Sequence, residues 1–279
     1  NNLIIWIASY PKSGNTWVRS IISSYFFSET GKFEFNLLKN ISLYPGPKYF
    51  KTPISKPGDV SLFWKSSQDE IIRNREDVFL KTHNAMVSLN GRSFASPNST
   101  LGGIYIIRDP RNVISSLKNH YNFKDFDETL SFMLNKKKYI WDERIRDDYS
   151  GFQFLGSWSD HYKSWLNNLS FKTLIVKYED LEKDCYSTSL KIIEFIFFLK
   201  GQKVKIDEKK LFQCIETTKF DILKQKEKLN GFDESIKINN KNKPFFFLGP
   251  ENKWNNRLSK EILSKAESYF EKDLMYFNY

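Results

Sequence analysis

Cysteine and histidine are scarce in this chain, and their scarcity excludes several chemistries. Two cysteines, Cys185 and Cys214, are too few for a disulfide scaffold and have no metal-ligand spacing. Three histidines, His83, His120 and His161, leave no zinc constellation, so no metal site is expected. Also missing is any apolar run near the ~20 residues that cross a bilayer. The short run Leu3–Ile7 opens directly into a polar loop. It is expected to be a core strand and not a signal peptide, with the cytoplasm as the expected compartment. No internal repeat or long low-complexity linker divides the sequence, and residues 1–279 are expected to form one domain.

What is present describes a folded α/β protein. An apolar content of 40% with 16% aromatics is too high for a disordered chain. The net charge of +10 fits an anionic ligand, nucleic acid or a membrane surface. Lysine is abundant throughout, so charge alone decides little. No RNP, KH or helix-turn-helix pattern occurs, and no specific nucleic-acid partner is expected. Apolar runs without alternation at Leu3–Ile7, Val78–Leu80, Ile104–Ile107 and Thr173–Val176 alternate with helical patterns. That is the pattern of a central parallel sheet flanked by helices on both faces. Helices are expected from about Asn112, over Leu155–Leu169, from near Tyr186 to Lys200, and from about Ser259 to Met275. The last has Ile262, Leu263, Ala266, Tyr269 and Phe270 on one stripe. Residues 29–66 read as loops and 90–103 as turn-rich.

Three stretches carry chemistry. The first strand runs into Ser9-Tyr10-Pro11-Lys12-Ser13-Gly14-Asn15-Thr16-Trp17 and then a helical pattern. Strand, glycine turn and helix N-terminus make an anion cradle, because backbone N–H groups and the helix dipole converge there. It is nearly a Walker A loop, but Asn15 stands where the lysine should be and Lys12 sits at the front. That suits a short phosphate ester whose leaving oxygen needs a positive partner. The second stretch is a strand ending at Arg108, a turn fixed by Pro110, and a helix bearing Ser116 two turns in. A guanidinium and a hydroxyl near a helix start would bind a phosphate dianion; Arg108 could instead pair with Asp109 or cap a neighbouring element. The third is Lys81-Thr82-His83 at a strand end, where an imidazole could act as a base at neutral pH beside a cation.

At these stretches the chain resembles the sulfotransferases that use 3′-phosphoadenosine 5′-phosphosulfate (PAPS). Tyr10 to Trp17 match that family's YPKSGTTW loop at every position but Asn15. Arg108, Pro110, Val113 and Ser116 fit its RnPkDvxvS motif, and Lys81-Thr82-His83 its KTH. The segment Gly156 to Trp165 resembles GSWxxHvxxW, Tyr178-Glu179-Asp180 resembles YED, and Thr218 and Phe220 fit a TSF-like contact with Lys219 in place of serine. The resemblance implies a P-loop NTPase-like fold and sulfuryl transfer from PAPS to a hydroxyl or amine, leaving PAP, with no metal required. By it Lys12 contacts the bridging oxygen of the phosphosulfate. Ser13, Gly14, Asn15 and Thr16 form the 5′-phosphate loop, and Trp17 lies against the adenine. Arg108 and Ser116 grip the 3′-phosphate, Lys81 contacts the sulfuryl group and His83 is the base. Tyr178 approaches the adenine, while Thr218, Phe220 and Gly249 make further cofactor contacts.

One family motif is incomplete. Where relatives carry RKGxxGxWK, Gly249 and Trp254 align but Phe247-Leu248 replace the Arg-Lys pair. Lys241, Lys243, Lys253 and Arg257 are candidates to supply the missing charge. His161, with Trp158 and Trp165, is expected on a packed helix face, and His120 is expected at the surface or in a structural role. Glu179 and Asp180 are expected to cap a helix or form salt bridges. Phe33, Phe35, Tyr44, Tyr49, Phe50, Phe63 and Trp64, with the stretch Lys224–Phe247, are expected to shape the acceptor pocket. Glu34 and Asp59 are the reserve candidates for the base. A P-loop kinase of a nucleoside or small molecule is the alternative, disfavoured by Asn15 and by the lack of a Walker B strand.

Overall fold

Every residue of strand β1 (Ile4–Ser9) is buried, as an apolar run covered on both faces must be. A computed structural model describes residues 3–73, 78–143, 145, 147–238 and 241–279. Beside β1 lie β2 (Ile41–Leu43), β3 (Val78–Thr82), β4 (Thr100–Ile107) and β5 (Thr173–Lys177). All pair in parallel, in the order β2-β3-β1-β4-β5. Helices bearing on the site are α1 (Asn15–Phe27), α2 (Pro110–Tyr121), α3 (Trp158–Leu166), α4 (Tyr178–Lys183), α5 (Cys185–Leu199), α6 (Glu208–Thr217), α7 (Phe220–Asn230) and α8 (Lys260–Phe277). No helix among the described residues is long and apolar enough to cross a membrane.

Alternation along the strands divides the core in two. Ile4, Trp6 and Ala8 join Val78 and Leu80 on one face, packed under Val113, Ile114 and Leu117 of α2. Ile5 and Ile7 join Phe79 on the other, under Val18, Ile21 and Ile22 of α1 and Ile192 and Ile196 of α5. Each Val, Leu, Ile or Phe among them contributes ~1.5–3 kcal/mol on full burial. The strand order reverses beside β1, which places a crevice at the carboxyl ends of the strands. Ser9, Thr82, Ile107 and Lys177 end β1, β3, β4 and β5 there, so the Lys12 loop, His83, Arg108 and Tyr178 share one edge.

Several boundaries differ from the sequence expectation for local reasons. Strand β2 was hidden because only three residues of a loop-rich region pair at the sheet edge. Thr100 to Gly103, expected as turn, extend β4 beside β1. Helix α2 starts at Pro110, whose missing N–H costs nothing at a first turn, after Asp109 accepts the Arg111 N–H as cap. Helix α3 begins only after Ser157, whose Oγ accepts the Asp160 N–H. On α8, Ile262, Ala266 and Phe270 are buried as expected, but Tyr269 is 60% exposed.

Candidate active site

The crevice at the strand ends is a cleft of about 1300 Å³ lined by Lys12, Lys81, His83, Arg108, Ser116 and Tyr178, among others. Gly14 caps α1 with φ +98°, a backbone conformation glycine tolerates. A Cβ there would stand 2.5 Å from Tyr178 Cδ2, so Tyr178 reaches the loop only because residue 14 has no side chain. Asn15 braces the turn, its Nδ2 donating to Ile7 O at 3.1 Å and Ser9 Oγ at 3.2 Å. Thr16 Oγ1 lies 3.5 Å from Glu234 Oε2. The Trp17 ring meets Tyr178 edge-on at 5.6 Å. Ser13 Oγ, Asn15 Oδ1 and Trp17 Nε1 are buried without a hydrogen-bond partner. Natural proteins rarely leave such atoms unpaired, and here they cluster around the loop that the sequence marks as an anion cradle.

Arg108 leaves the end of β4 and is 6% exposed. Its guanidinium lies 3.9 Å over the Tyr178 ring, Nη1 donates to Lys12 O at 3.4 Å, and Nε is buried with no partner. It does not pair with Asp109, which holds Arg111 at 2.8 Å instead. Ser116 lines the same cleft. Glu179 Oε1 accepts the Asp109 N–H at 2.9 Å, so the YED segment steadies the Arg108 turn. Asn252 ties the C-terminal segment to this helix start: its Nδ2 donates to Asn112 O at 2.8 Å and its Oδ1 accepts from Ser115 Oγ at 2.6 Å. Gly249 sits flush on Phe220, where a Cβ would come within 2.5 Å of the ring. Thr218 is buried and its Oγ1 donates to Cys214 O at 2.8 Å, so its hydroxyl proton is used within the end of α6. Of the candidates for the missing charge, Lys253 lines the cleft while pairing with Glu182 at 2.8 Å. Lys243 does not line it but donates to the cleft-lining Asn122 Oδ1 at 3.4 Å, Arg257 is exposed and does not line it, and the Lys241 side chain lies outside the described residues.

His83 is fixed at three points. Its N–H donates to Gln153 Oε1 at 2.7 Å, its carbonyl accepts from His161 Nε2 at 2.8 Å, and its Nδ1 donates to Ser9 O at 2.7 Å. The last bond sets the tautomer and leaves a lone pair on Nε2. Burial, reinforced by the Lys81 ammonium, pushes this imidazole down to about 3. His161 is fully buried, accepting from Tyr105 OH at 2.7 Å, and burial pushes it down to about 4. It supports His83 from the core, as packing at its helix face implied. His120, expected at the surface or in a structural role, is half-buried and packs edge-on against Tyr121 and Phe245. It lines the cleft, with burial and the charges of Lys12 and Lys81 pushing it down to about 2.

The cations of the cleft are partnered from within. Lys12 Nζ lies 3.9 Å over the Phe245 ring, and burial with the nearby charges of Lys81 and Arg108 lowers it to about 7. Lys81 Nζ donates to Glu234 Oε2 at 2.8 Å, and Arg19 Nη1 to Glu234 Oε1 at 2.6 Å. Burial by itself would raise the Glu234 carboxyl, but Lys81 and Arg19 hold it well below the usual carboxylate range. Arg19, Gln153 and Glu234 escaped the sequence reading. Arg19 alone left a signal, a cation among the buried apolar positions of α1. The reserve bases are misplaced: Glu34 pairs with Lys226 at 2.7 Å, and neither it nor Asp59 lines the cleft. Of the expected acceptor aromatics, Phe33, Tyr44 and Trp64 are core residues with no exposure, and Phe35, Tyr49, Phe50 and Phe63 also lie off the cleft. Its aromatic wall comes from Phe123, Phe132, Tyr139, Trp141 and Phe245 to Phe247. Among the described residues no group of three or more His, Cys, Asp or Glu could hold a metal ion.

Comparison with known proteins agrees with this architecture. The chain is 26% identical to 3-alpha-hydroxysteroid sulfotransferase of Cavia porcellus over 227 residues, which is 80% of this chain and 66% of that enzyme. It is 24% identical to sulfotransferase 1A1 of Rattus norvegicus over 273 residues, 96% of this chain and 83% of that one. Mouse sulfotransferase SULT7A1 complexed with PAP superposes with a TM-score of 0.58 at 19% identity, covering 98% of this chain and 84% of that one. Retinol dehydratase in a complex with retinol and PAP gives a TM-score of 0.61 at 18% identity, covering 97% and 81%. These two share the fold. The sulfotransferase domain model matches residues 4–277, and the chain belongs to that family.

Proposed function

We propose that this chain, acting as one domain, transfers a sulfuryl group from PAPS to a hydroxyl or amine of an acceptor, with His83 as general base. The observation that carries the reading is the set of unpartnered buried polar atoms, Ser13 Oγ, Trp17 Nε1 and Arg108 Nε, around a cleft that also holds His83. The PAP named in two solved relatives supports the same ligand class. PAPS supplies an activated sulfuryl group and a good leaving phosphate. The loop from Ser13 to Trp17 offers backbone and hydroxyl donors to the 5′-phosphate. Arg108 and Ser116 address the 3′-phosphate, with Lys253 as an added cation at that end. Tyr178, Phe220, Thr218 and Gly249 form the walls of the nucleotide half. Lys12 neutralises charge on the leaving oxygen, and Lys81 charge on the sulfuryl oxygens. His83 Nε2 takes the acceptor proton. A weak base suffices, because the acceptor oxygen becomes strongly acidic as its bond to sulfur forms.

Calorimetric titration with PAP and ATP tests the cofactor assignment. PAP at a hundredfold excess over its Kd should stabilise the fold by about 2.7 kcal/mol. ATP, without a 3′-phosphate, should bind far more weakly, and equal affinity would remove Arg108 and Ser116 from their role. The titration also reads Lys12. Burial and the charges of Lys81 and Arg108 lower this amine to about 7. An anion favours the ammonium form, so PAP affinity is full below pH 7 and declines above it, with proton uptake on binding. Titrations at pH 8 in two buffers of different ionisation heat measure that uptake. Its absence contradicts the Lys12 assignment.

A further inference from the structure

Arg19, a buried charge, and Glu234, whose side chain is 28% exposed, form an ion pair that the mechanism above does not use. Arg19 is 3% exposed, on the turn of α1 that follows the phosphate loop. Its Nη2 is fixed by Ile41 O at 3.0 Å, its Nη1 faces Glu234, and its Nε is a buried donor with no partner. Glu234 reaches in from the segment beyond α7 and sets its two oxygens on three groups. Oε1 takes Arg19 at 2.6 Å, while Oε2 takes Lys81 at 2.8 Å and lies 3.5 Å from Thr16 Oγ1. Two of these partners, Lys81 and Thr16, are residues assigned above to the sulfuryl group and the 5′-phosphate. Phe245 occupies Lys12 in the same way, with its ring face. Glu227 ties these segments together, accepting from Ser235 Oγ at 2.6 Å and from the Phe245 N–H at 2.7 Å.

We infer that Arg19 completes, with Lys81 and Thr16, a pocket for the sulfuryl oxygens of PAPS, and that Glu234 fills this pocket as an internal carboxylate which PAPS displaces. This rests on the PAPS reading above. A planar carboxylate offers two oxygens and leaves a buried Arg19 donor unused, whereas a sulfuryl group brings three oxygens. Two buried cations would be costly without an anion between them, so an empty pocket needs a resident negative charge. Carboxylate and sulfuryl group compete for the same cations. When PAPS enters, Glu234 exchanges its buried partners for water, and when PAP leaves it returns. Because PAP has no sulfuryl group, the pocket separates donor from product.

The test compares PAPS with PAP, by calorimetry without acceptor, on the whole chain. Glu234→Gln keeps the shape and removes the charge. It should tighten PAPS by about 10–100-fold, the scale of a charge-assisted hydrogen bond, with PAP changed less than about threefold. Arg19→Ala should weaken PAPS by a similar factor and again spare PAP. If Glu234→Gln weakens PAPS or leaves it unchanged, the carboxylate is a structural anchor and the proposal fails. If Arg19→Ala weakens PAP and PAPS equally, Arg19 is no part of a sulfuryl pocket. Since loss of a buried partner also costs stability, hydrogen exchange on the unaltered chain gives a second reading. PAPS, but not PAP, should speed exchange at residues 231–235, and slowing by PAPS overturns the displacement. Failure of the unaltered chain to bind PAP at all would bring down the cofactor reading first, and this proposal with it.

Discussion

Replacing His83 by alanine should lower turnover by roughly 10²–10⁴-fold, the range for a positioned proton acceptor, while PAP affinity stays near that of the unaltered chain. In the proposed reading the cradle is built from the Lys12 loop and the Arg108–Ser116 turn, and the His83 ring bonds to Ser9 alone, at O (2.7 Å) and Oγ (3.3 Å), so its loss leaves the anion donors in place. Lys12→Ala should differ in kind, losing turnover and PAP affinity together, because the proposed mechanism sets its ammonium on the leaving group. Paired calorimetry and rate measurements separate the two profiles. The pH profile carries a second signature. Burial and Lys81 push His83 down to about 3, so its neutral, proton-accepting form persists on acidification until the pH approaches that value. No fall in rate near pH 6.5 should be traceable to this residue. If His83→Ala turns over at nearly the original rate, the base is elsewhere, and His120 is the other imidazole that lines the cleft.

Arg108→Ala should cost roughly 1.5–3 kcal/mol of PAP binding, the scale of a hydrogen bond to a charged group. Its guanidinium is held by the Tyr178 face and by Lys12 O, and its unpartnered Nε is a donor already stripped of water. ATP affinity should change little, so the preference for PAP over ATP collapses. Arg108→Lys keeps the charge but not the planar fork, and should recover only part of that preference. Equal losses for PAP and ATP would mean that Arg108 shapes the loop through Lys12 O and does not read the 3′-phosphate.

The sheet was legible because parallel strands covered on both faces leave unbroken apolar runs, as at Ile4–Ile7 and Ile104–Ile107. Strand β2 left none, since Ile41–Leu43 is an edge strand of three residues. The cleft was legible where motif residues sit directly on strand ends: Lys12, His83, Arg108 and Tyr178 need only the sheet to bring them together. Contacts made by distant loops were not. Glu234 meets Lys81 and Arg19 across more than half the chain, and no local pattern marks that meeting. The aromatic loops misled for a related reason. Tyr44 and Trp64 pack against Trp6 and Phe94 in the core, and sequence alone does not tell such packing from a pocket wall.

Transfer of radiolabelled sulfur from PAPS to an unbiased mixture of hydroxyl and amine acceptors, in EDTA, tests the central claim most directly. In the proposed mechanism Lys12 and Lys81 supply the positive charge at the reacting end of the cleft, so labelled product should accumulate undiminished with the chelator present, and Lys12→Ala should abolish it. Label that stays in PAPS in the presence of EDTA and moves only when Mg²⁺ is restored, or phosphate from ATP appearing in the acceptor instead, would contradict the account.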